Sequence, residues 1–383
     1  MKQAVGFIST YSSDEFGICS ALYELGGMVV MHDASGCNST YTTHDEPRWY
    51  EIDSMIFISA ISEMEAVMGD DEKLIQDIIE TAEQLQPAFI AIVGAPIPYM
   101  IGTDLEAIAM VVEGETGIPS FGFAANGMQN YTKGISMALE AITKRFCTEA
   151  FQKTEQISAN ILGATPLDFS LNGSVDSIKT WLLEHGIGVN SCFAMGSSLE
   201  EIQSASKAHV NLVISYGGLE AAKLLKERFD IPYVVGVPFG RRYADILANK
   251  LKNAVQTGQS RIATQKIHQN AKKRLALIGE TVFATSLASA IELEYDLDVR
   301  VFVPLDTKAE LLRDGDEWTS GEDDLNERLK DVDGVIADPL YRPLCGQLEF
   351  YPLPHEAFSG RIYDKENPDL INRDLRYREE TSC

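Results

Sequence analysis

Cys19 and Cys37 lie eighteen residues apart near the start of a 383-residue chain. Cys19 opens the amphipathic run Cys-Ser-Ala-Leu-Tyr-Glu-Leu-Gly-Gly, and Cys37 closes Met28-Val-Val-Met-His-Asp-Ala-Ser-Gly-Cys. The second run reads as a short apolar strand entering a loop that ends in Gly-Cys, which presents a thiolate at the edge of a sheet. A thiolate is a metal ligand, whereas the same spacing also suits two buried thiols packed as small hydrophobic groups. Asp14 or Glu15 offers an oxygen ligand beside them, or stands in a solvated loop. Cys147, Cys192, Cys345 and Cys383 show no CxxC or Cys/His spacing of a zinc site.

These residues need a scaffold, and the chain alternates strand and helix throughout. Apolar runs at 28–31, 54–59, 89–93 and 118–123 alternate with helical patterns at 72–85 and 104–112. Runs at 157–163, 187–194, 210–215 and 231–237 frame helices at 175–185 and 218–229. A third set, at 274–279, 299–303 and 334–337, starts afresh. The pattern is that of an α/β chain with three doubly wound, Rossmann-like parallel-sheet domains. Polar helices expected at 137–154 and 241–273 leave the preceding sheets, so the domains are expected at 1–155, 156–270 and 271–383.

Composition narrows the partners. A formal charge of −25 argues against nucleic acid and anionic membranes, because phosphate binding needs clustered Lys and Arg. No apolar run approaches a bilayer span and no charged-then-apolar leader opens the sequence, so a cytoplasmic protein is expected. Neither a phosphate loop nor a Gly-x-Gly-x-x-Gly turn is present, and Tyr216-Gly-Gly-Leu reads as a tight strand-to-helix turn, so no directly bound nucleotide is expected.

The run His32-Asp-Ala-Ser-Gly-Cys resembles the His-Gly-Pro-x-Gly-Cys segment of nitrogenase component 1 proteins and their tetrapyrrole-reducing relatives, and Cys19 stands where those families carry their first cluster cysteine. The resemblance continues in order. Glu63-Met-Glu-Ala-Val-Met-Gly-Asp-Asp-Glu-Lys-Leu is similar to the Val-Phe-Gly-Gly-x-x-Lys-Leu stretch, and Ile90-Ala-Ile-Val-Gly-Ala-Pro-Ile-Pro-Tyr-Met-Ile-Gly to the Glu-Cys-Pro-x-x-x-Ile-Gly segment, with Ala95 replacing the third cluster cysteine. The family's three-domain architecture agrees with the periodicity.

The resemblance implies Cys19 and Cys37 as metal ligands. A cubane cluster takes about four ligands, and a two-fold axis brings the same residues of two chains together, so the expected cofactor is one [4Fe-4S] cluster shared by a homodimer, or by a heterodimer with a related subunit. It also implies an iron-protein-like, ATP-dependent reductase as electron donor and a second cofactor or tetrapyrrole in an interdomain cavity. Ala208-His-Val-Asn-Leu-Val-Ile-Ser-Tyr resembles the stretch in which nitrogenase ligates its cofactor by cysteine. Here that position is Ser215, with Tyr216 after it, and a hydroxyl is a poor iron ligand beside a thiolate.

Leu353-Pro-His-Glu-Ala-Phe-Ser-Gly resembles the cofactor-histidine segment, which makes His355 the candidate catalytic proton donor. The stretch 122–134 lies where nitrogenases place a paired histidine and carries none. Arg48 is a candidate cavity residue able to pair with a carboxylate, or an exposed arginine. The expected function is a nitrogenase-like reductase component acting on a small or tetrapyrrole-like substrate rather than dinitrogen; the alternative is a scaffold or carrier for a metal cofactor or tetrapyrrole.

Overall fold

A computed structural model describes residues 12–34, 36, 38, 41, 46–269 and 271–375. Fourteen strands are described, all in three parallel sheets. The first holds β1 (Met28–Met31), β2 (Met55–Ile58), β3 (Ile90–Val93) and β4 (Ser120–Phe123) in the order β2-β1-β3-β4. The second holds β5 (Ser158–Leu162), β6 (Gly188–Cys192), β7 (Val210–Val213), β8 (Tyr233–Val235) and β9 (Arg261–Ile262) in the order β6-β5-β7-β8-β9. The third holds β10 (Arg274–Ile278), β11 (Asp298–Val303), β12 (Glu317–Trp318), β13 (Gly334–Ala337) and β14 (Glu349–Pro352) in the order β12-β11-β10-β13-β14.

Central strands such as Ile-Ala-Ile-Val in β3 and Val-Asn-Leu-Val in β7 are buried along their whole length, as sheets covered by helices on both faces require. Side chains alternate between faces. In the first sheet Met28, Val30, Ile90 and Ile92 pack on Leu74, Ile78 and Ile108 of the outer helices, while Val29, Met31, Ala91 and Val93 join the core shared with the rest of the chain. That shared core docks the three sheets together.

Two helices set the geometry near the cysteines. The helix Asp14–Leu22 lies against Tyr131–Phe146, and the crossing works because glycine stands at both points of closest approach. A Cβ on Gly17 would lie 2.0 Å from the Tyr131 carbonyl oxygen, and one on Gly134 would lie 1.9 Å from that of Asp14.

Several expectations need adjustment. The helix expected at 137–154 runs Tyr131–Phe146, and the one expected to reach 273 stops at Thr257, where Gly258 adopts a left-handed conformation with its N–H bonded to the Ala254 carbonyl. Strands β9 and β12 escape sequence reading because they are two-residue edge strands, and β14 because its Glu-Phe-Tyr-Pro run is an edge strand with partly exposed side chains and no apolar run. No described helix is long and apolar enough to cross a membrane.

Candidate functional site

Doubly wound sheets bind ligands beyond the carboxyl ends of their strands, where the strand order reverses. The reversals here fall between β1 and β3, β5 and β7, and β10 and β13. In the second sheet, β5 runs into Gly163 and β7 into Ser215, and the Ser215 hydroxyl donates to the Gly163 carbonyl at 2.9 Å. In the third, β10 runs into Glu280 and β13 into Asp338. Glu280 joins these two crevices: its Oε1 accepts the Tyr216 N–H at 2.8 Å, while its Oε2 accepts from Phe283 N at 2.8 Å and caps the helix Thr281–Glu294.

His355 sits at this junction, buried, at the entry to the short helix Glu356–Ser359. Asp338 fixes its backbone, accepting the His355 N–H at 2.9 Å and the Ser359 hydroxyl at 2.7 Å through one oxygen. The imidazole is walled by Phe358, Phe283 and Tyr131, with ring centroids 5.0, 5.9 and 6.3 Å away. Its Nε2 lies 3.5 Å from Oδ1 of Asp168, and the Tyr131 hydroxyl donates to that same oxygen at 2.6 Å. Tyr131, Asp168 and His355 follow the first, second and third sheets in turn, so the cluster exists only where all three meet.

The cluster is both titratable and incomplete. Burial, then the charge of Asp168, raises the pKa of Glu280; burial and Asp168 also push the Tyr131 phenol well up and keep it a donor. Among the described residues, Nδ1 and Nε2 of His355, Oδ2 of Asp168 and the hydroxyls of Thr165 and Thr281 are buried with no hydrogen-bond partner. Buried polar atoms are ordinarily satisfied, so such a concentration on adjoining turns marks a place for a ligand or ordered water.

The cysteine region forms a second focus at the reversal of the first sheet, which is flanked by His32 after β1 and by Ala95 after β3. Cys19 is fully buried on the helix Asp14–Leu22, and burial, then Glu15 and Glu46, pushes its thiol well up. Cys37 lies outside the described residues. Asp14 and Glu15 are buried rather than solvated. Asp14 is occupied by the Asn126 and Gly127 N–H groups at 3.0 and 2.9 Å, whereas Glu15, one turn before Cys19, has an Oε2 without a partner among the described residues. Burial, then Asp14 and Asp33, raises the Glu15 carboxyl to about 7. The described residues contain no group of three or more His, Cys, Asp or Glu arranged to hold a metal.

Arg48 is buried, not exposed, and its fork is fully engaged. Nε and Nη2 donate to Glu46 at 2.6 and 3.1 Å, Nη1 to Glu24 at 2.9 Å and the Ala194 carbonyl at 3.3 Å, and Nη2 also to the Ser20 carbonyl and hydroxyl at 2.8 and 3.2 Å. It therefore braces the residue next to Cys19. The structure brings His355 and the Tyr216 backbone to one junction, with Ser215 turned to Gly163, and places Cys19 and Arg48 together at another. Sequence reading missed Asp168, Tyr131 and Glu280. Its available signals were the strand-then-Thr-Pro helix start before Asp168 and a single carboxylate between two apolar runs at Glu280.

Three docked parallel α/β sheets, with a buried and partly unsatisfied acid–base cluster at the strand ends of the second and third, define a doubly wound, Rossmann-like α/β protein. A family model for nitrogenase component 1 type oxidoreductases matches residues 25–311, and the chain belongs to that family. It is 28% identical over 216 residues to the nitrogenase iron-molybdenum cofactor biosynthesis protein NifE of Clostridium pasteurianum, covering 52% of this chain and 45% of that protein. It is 27% identical over 188 residues to a light-independent protochlorophyllide reductase polypeptide of Heliobacterium modesticaldum (48% and 36% covered), and 25% over 182 residues to the nitrogenase molybdenum-iron protein alpha chain of C. pasteurianum (47% and 33%). The alignments thus span less than half of these relatives' own lengths. A solved structure of nitrogenase Cp1 at pH 5 shares the fold with a TM-score of 0.69 at 16% identity, over 97% of this chain and 87% of that one.

Proposed function

We propose that this chain is the substrate-reducing component of a two-component, nitrogenase-like reductase, organised as units 1–155, 156–270 and 271–383. The observation that carries the reading is the buried His355, whose nitrogens lack hydrogen-bond partners among the described residues at the junction of the second and third sheets. An iron-protein-like, ATP-dependent partner would supply electrons one at a time. A [4Fe-4S] cluster held by Cys19 and Cys37 of two chains would store and relay them. His355 would deliver the accompanying proton to a small or tetrapyrrole-like substrate, beside Tyr216 and Ser215. Arg48 acts by holding the Cys19 helix in place.

A homodimer suits the surface of the first unit. The helices Glu63–Met68 and Pro96–Ile101 pack together and leave Met64, Val67, Met68, Met100 and Ile101 exposed, and the second helix starts directly after Ala95. With a charge of −25 on each copy, apolar contact rather than charge complementarity must drive self-association. A scaffold or carrier for a metal cofactor or tetrapyrrole is the second reading, favoured by the likeness to a protein named for cofactor biosynthesis.

The test is iron and acid-labile sulfide on protein prepared without oxygen, with electron paramagnetic resonance. About two irons per chain in a dimer is the expected result, because a cubane shared by two chains carries four. Cys19→Ser and Cys37→Ser should abolish it. Cys147→Ser and Cys192→Ser should not, since neither stands in a stretch that resembles a cluster-cysteine segment of the family. A dimer that stays iron-free after reconstitution overturns the cluster. Substrate-dependent, ATP-dependent oxidation of the reduced partner separates enzyme from carrier.

A further inference from the structure

We propose that Asp168 is the positioning carboxylate of the His355 site, holding the imidazole with its Nε2 proton toward the carboxylate and its Nδ1 toward the ligand. The inference rests on the reading of His355 as the working group of the site. It needs no cluster.

The geometry leaves few alternatives. Phe358, Phe283 and Tyr131 wall the ring, and Asp168 is its one ion-pair partner among the described residues, with Oδ1 3.5 Å from Nε2. Tyr131 acts on Asp168 rather than on the histidine: its hydroxyl donates to Oδ1 at 2.6 Å, and the buried phenol resists ionisation and so keeps the proton it donates. Oδ1 has a second lone pair for Nε2–H. The 3.5 Å gap is longer than a working hydrogen bond, as is common before a ligand closes a site.

The backbone supports the same aim. Asp168 lies in the short helix Pro166–Phe169, which starts with Pro166 four residues after the end of β5, so its backbone is placed by the second sheet. Asp338 pins the His355 backbone from the third sheet. Carboxylate and imidazole therefore approach each other from different sheets, and neither is free to follow the other. What remains for a ligand is Nδ1, a lone pair in the neutral ring and the deliverable proton once the ring takes up a second one, and the second oxygen of Asp168, both without hydrogen-bond partners among the described residues.

The experiment is a nitrogen–proton correlation spectrum of the full chain labelled with nitrogen-15 in its six histidines, with His355 assigned by His355→Gln. It is recorded without iron or partner. The expected result is a protected Nε2–H signal for His355 that exchanges faster or moves upfield in a folded Asp168→Ala protein. In Tyr131→Phe the carboxylate loses its competing donor, so the signal should move further downfield. Once His355→Gln assigns the signal, the parent spectrum reports which nitrogen carries the proton, so the test stands even where Asp168→Ala fails to fold. A protected proton on Nδ1, no protected ring proton at all, or an Nε2–H signal unchanged in a folded Asp168→Ala protein overturns the proposal. None of these outcomes alters the iron count on which the cluster reading depends, so the two can fail separately.

Discussion

Replacing Arg48 by Met tests whether the segment after Cys37 is braced by a buried charge network. Arg48 and Glu46 are each 1% exposed, and the guanidinium also lies 4.5 Å from the Tyr23 ring. Met fills much of the same volume but leaves Glu46 buried with the Tyr41 hydroxyl, at 2.9 Å, and the residue 48 N–H as its remaining donors. Removing one partner of a buried ion pair costs roughly 3–5 kcal/mol. In a unit of this size each kcal/mol lowers the melting temperature by about 2–4 °C, so the first transition should fall by roughly 6–20 °C. Hydrogen exchange should locate the loss in the helix Asp14–Leu22 and around Ala194, whose carbonyl accepts from Arg48. The sharper test is the double variant with Glu46→Leu. If the cost comes from an orphaned carboxylate, the double variant should be about 1–3 kcal/mol more stable than Arg48→Met alone. A Tm for Arg48→Met within about 2 °C of the parent, or strictly additive effects in the double variant, would refute the reasoning.

Gly163 has φ of 91°, and a Cβ there would lie 2.3 Å from the Ser215 hydroxyl oxygen, so Gly163→Ala should cost on the order of 2–4 kcal/mol in thermal or denaturant unfolding and displace the Ser215 turn. Gly17→Ala should force the helix Asp14–Leu22 off Tyr131–Phe146 and cost about 1–3 kcal/mol; an unchanged melting curve would mean the crossing has slack that the 2.0 Å approach denies. Glu15 predicts a pH effect of unusual sign. Its folded value, about 7, lies above the unfolded 4.5, so the stability it contributes by holding a proton is full below about 4.5 and is lost as pH rises through 7. In iron-free protein, Glu15→Gln should raise the Tm at pH 8, with a ceiling of about 3 kcal/mol, and change little near pH 4; a loss of stability at pH 8 would contradict the assignment.

Parallel strands declared themselves because burial on both faces makes them continuous apolar runs, as at 89–93 and 210–215. Helix ends were less legible: the sequence from 241 onward stays polar past Thr257, and it is the left-handed Gly258 that stops the helix. The same limit applies to the site. His355 and Cys19 stand in recognisable local motifs, but Asp168 belongs to the site only because a short helix after β5 turns toward a third-sheet residue 187 positions away in sequence. Arg48 shows the converse. Its flanking residues suggest an exposed or ligand-facing side chain, and only the fold reveals that Glu24, Ser20 and Ala194 absorb its donors.

The two foci are joined by one element. Tyr131, the first residue of its helix, carries the hydroxyl that holds Asp168, while its carbonyl sets the clearance for Gly17 on the Cys19 helix; three residues on, Gly134 meets the Asp14 carbonyl. Close packing of this kind transmits displacement rather than absorbing it. A shift of the helix Asp14–Leu22 would therefore press on the Tyr131 backbone, whose hydroxyl donates to Asp168 beside His355, so the two glycine contacts and one phenol form a continuous packed link between the cysteine region and the histidine site. Gly17→Ala should accordingly perturb the His355 signals in the nitrogen–proton spectrum; unchanged signals in a folded variant would break that link.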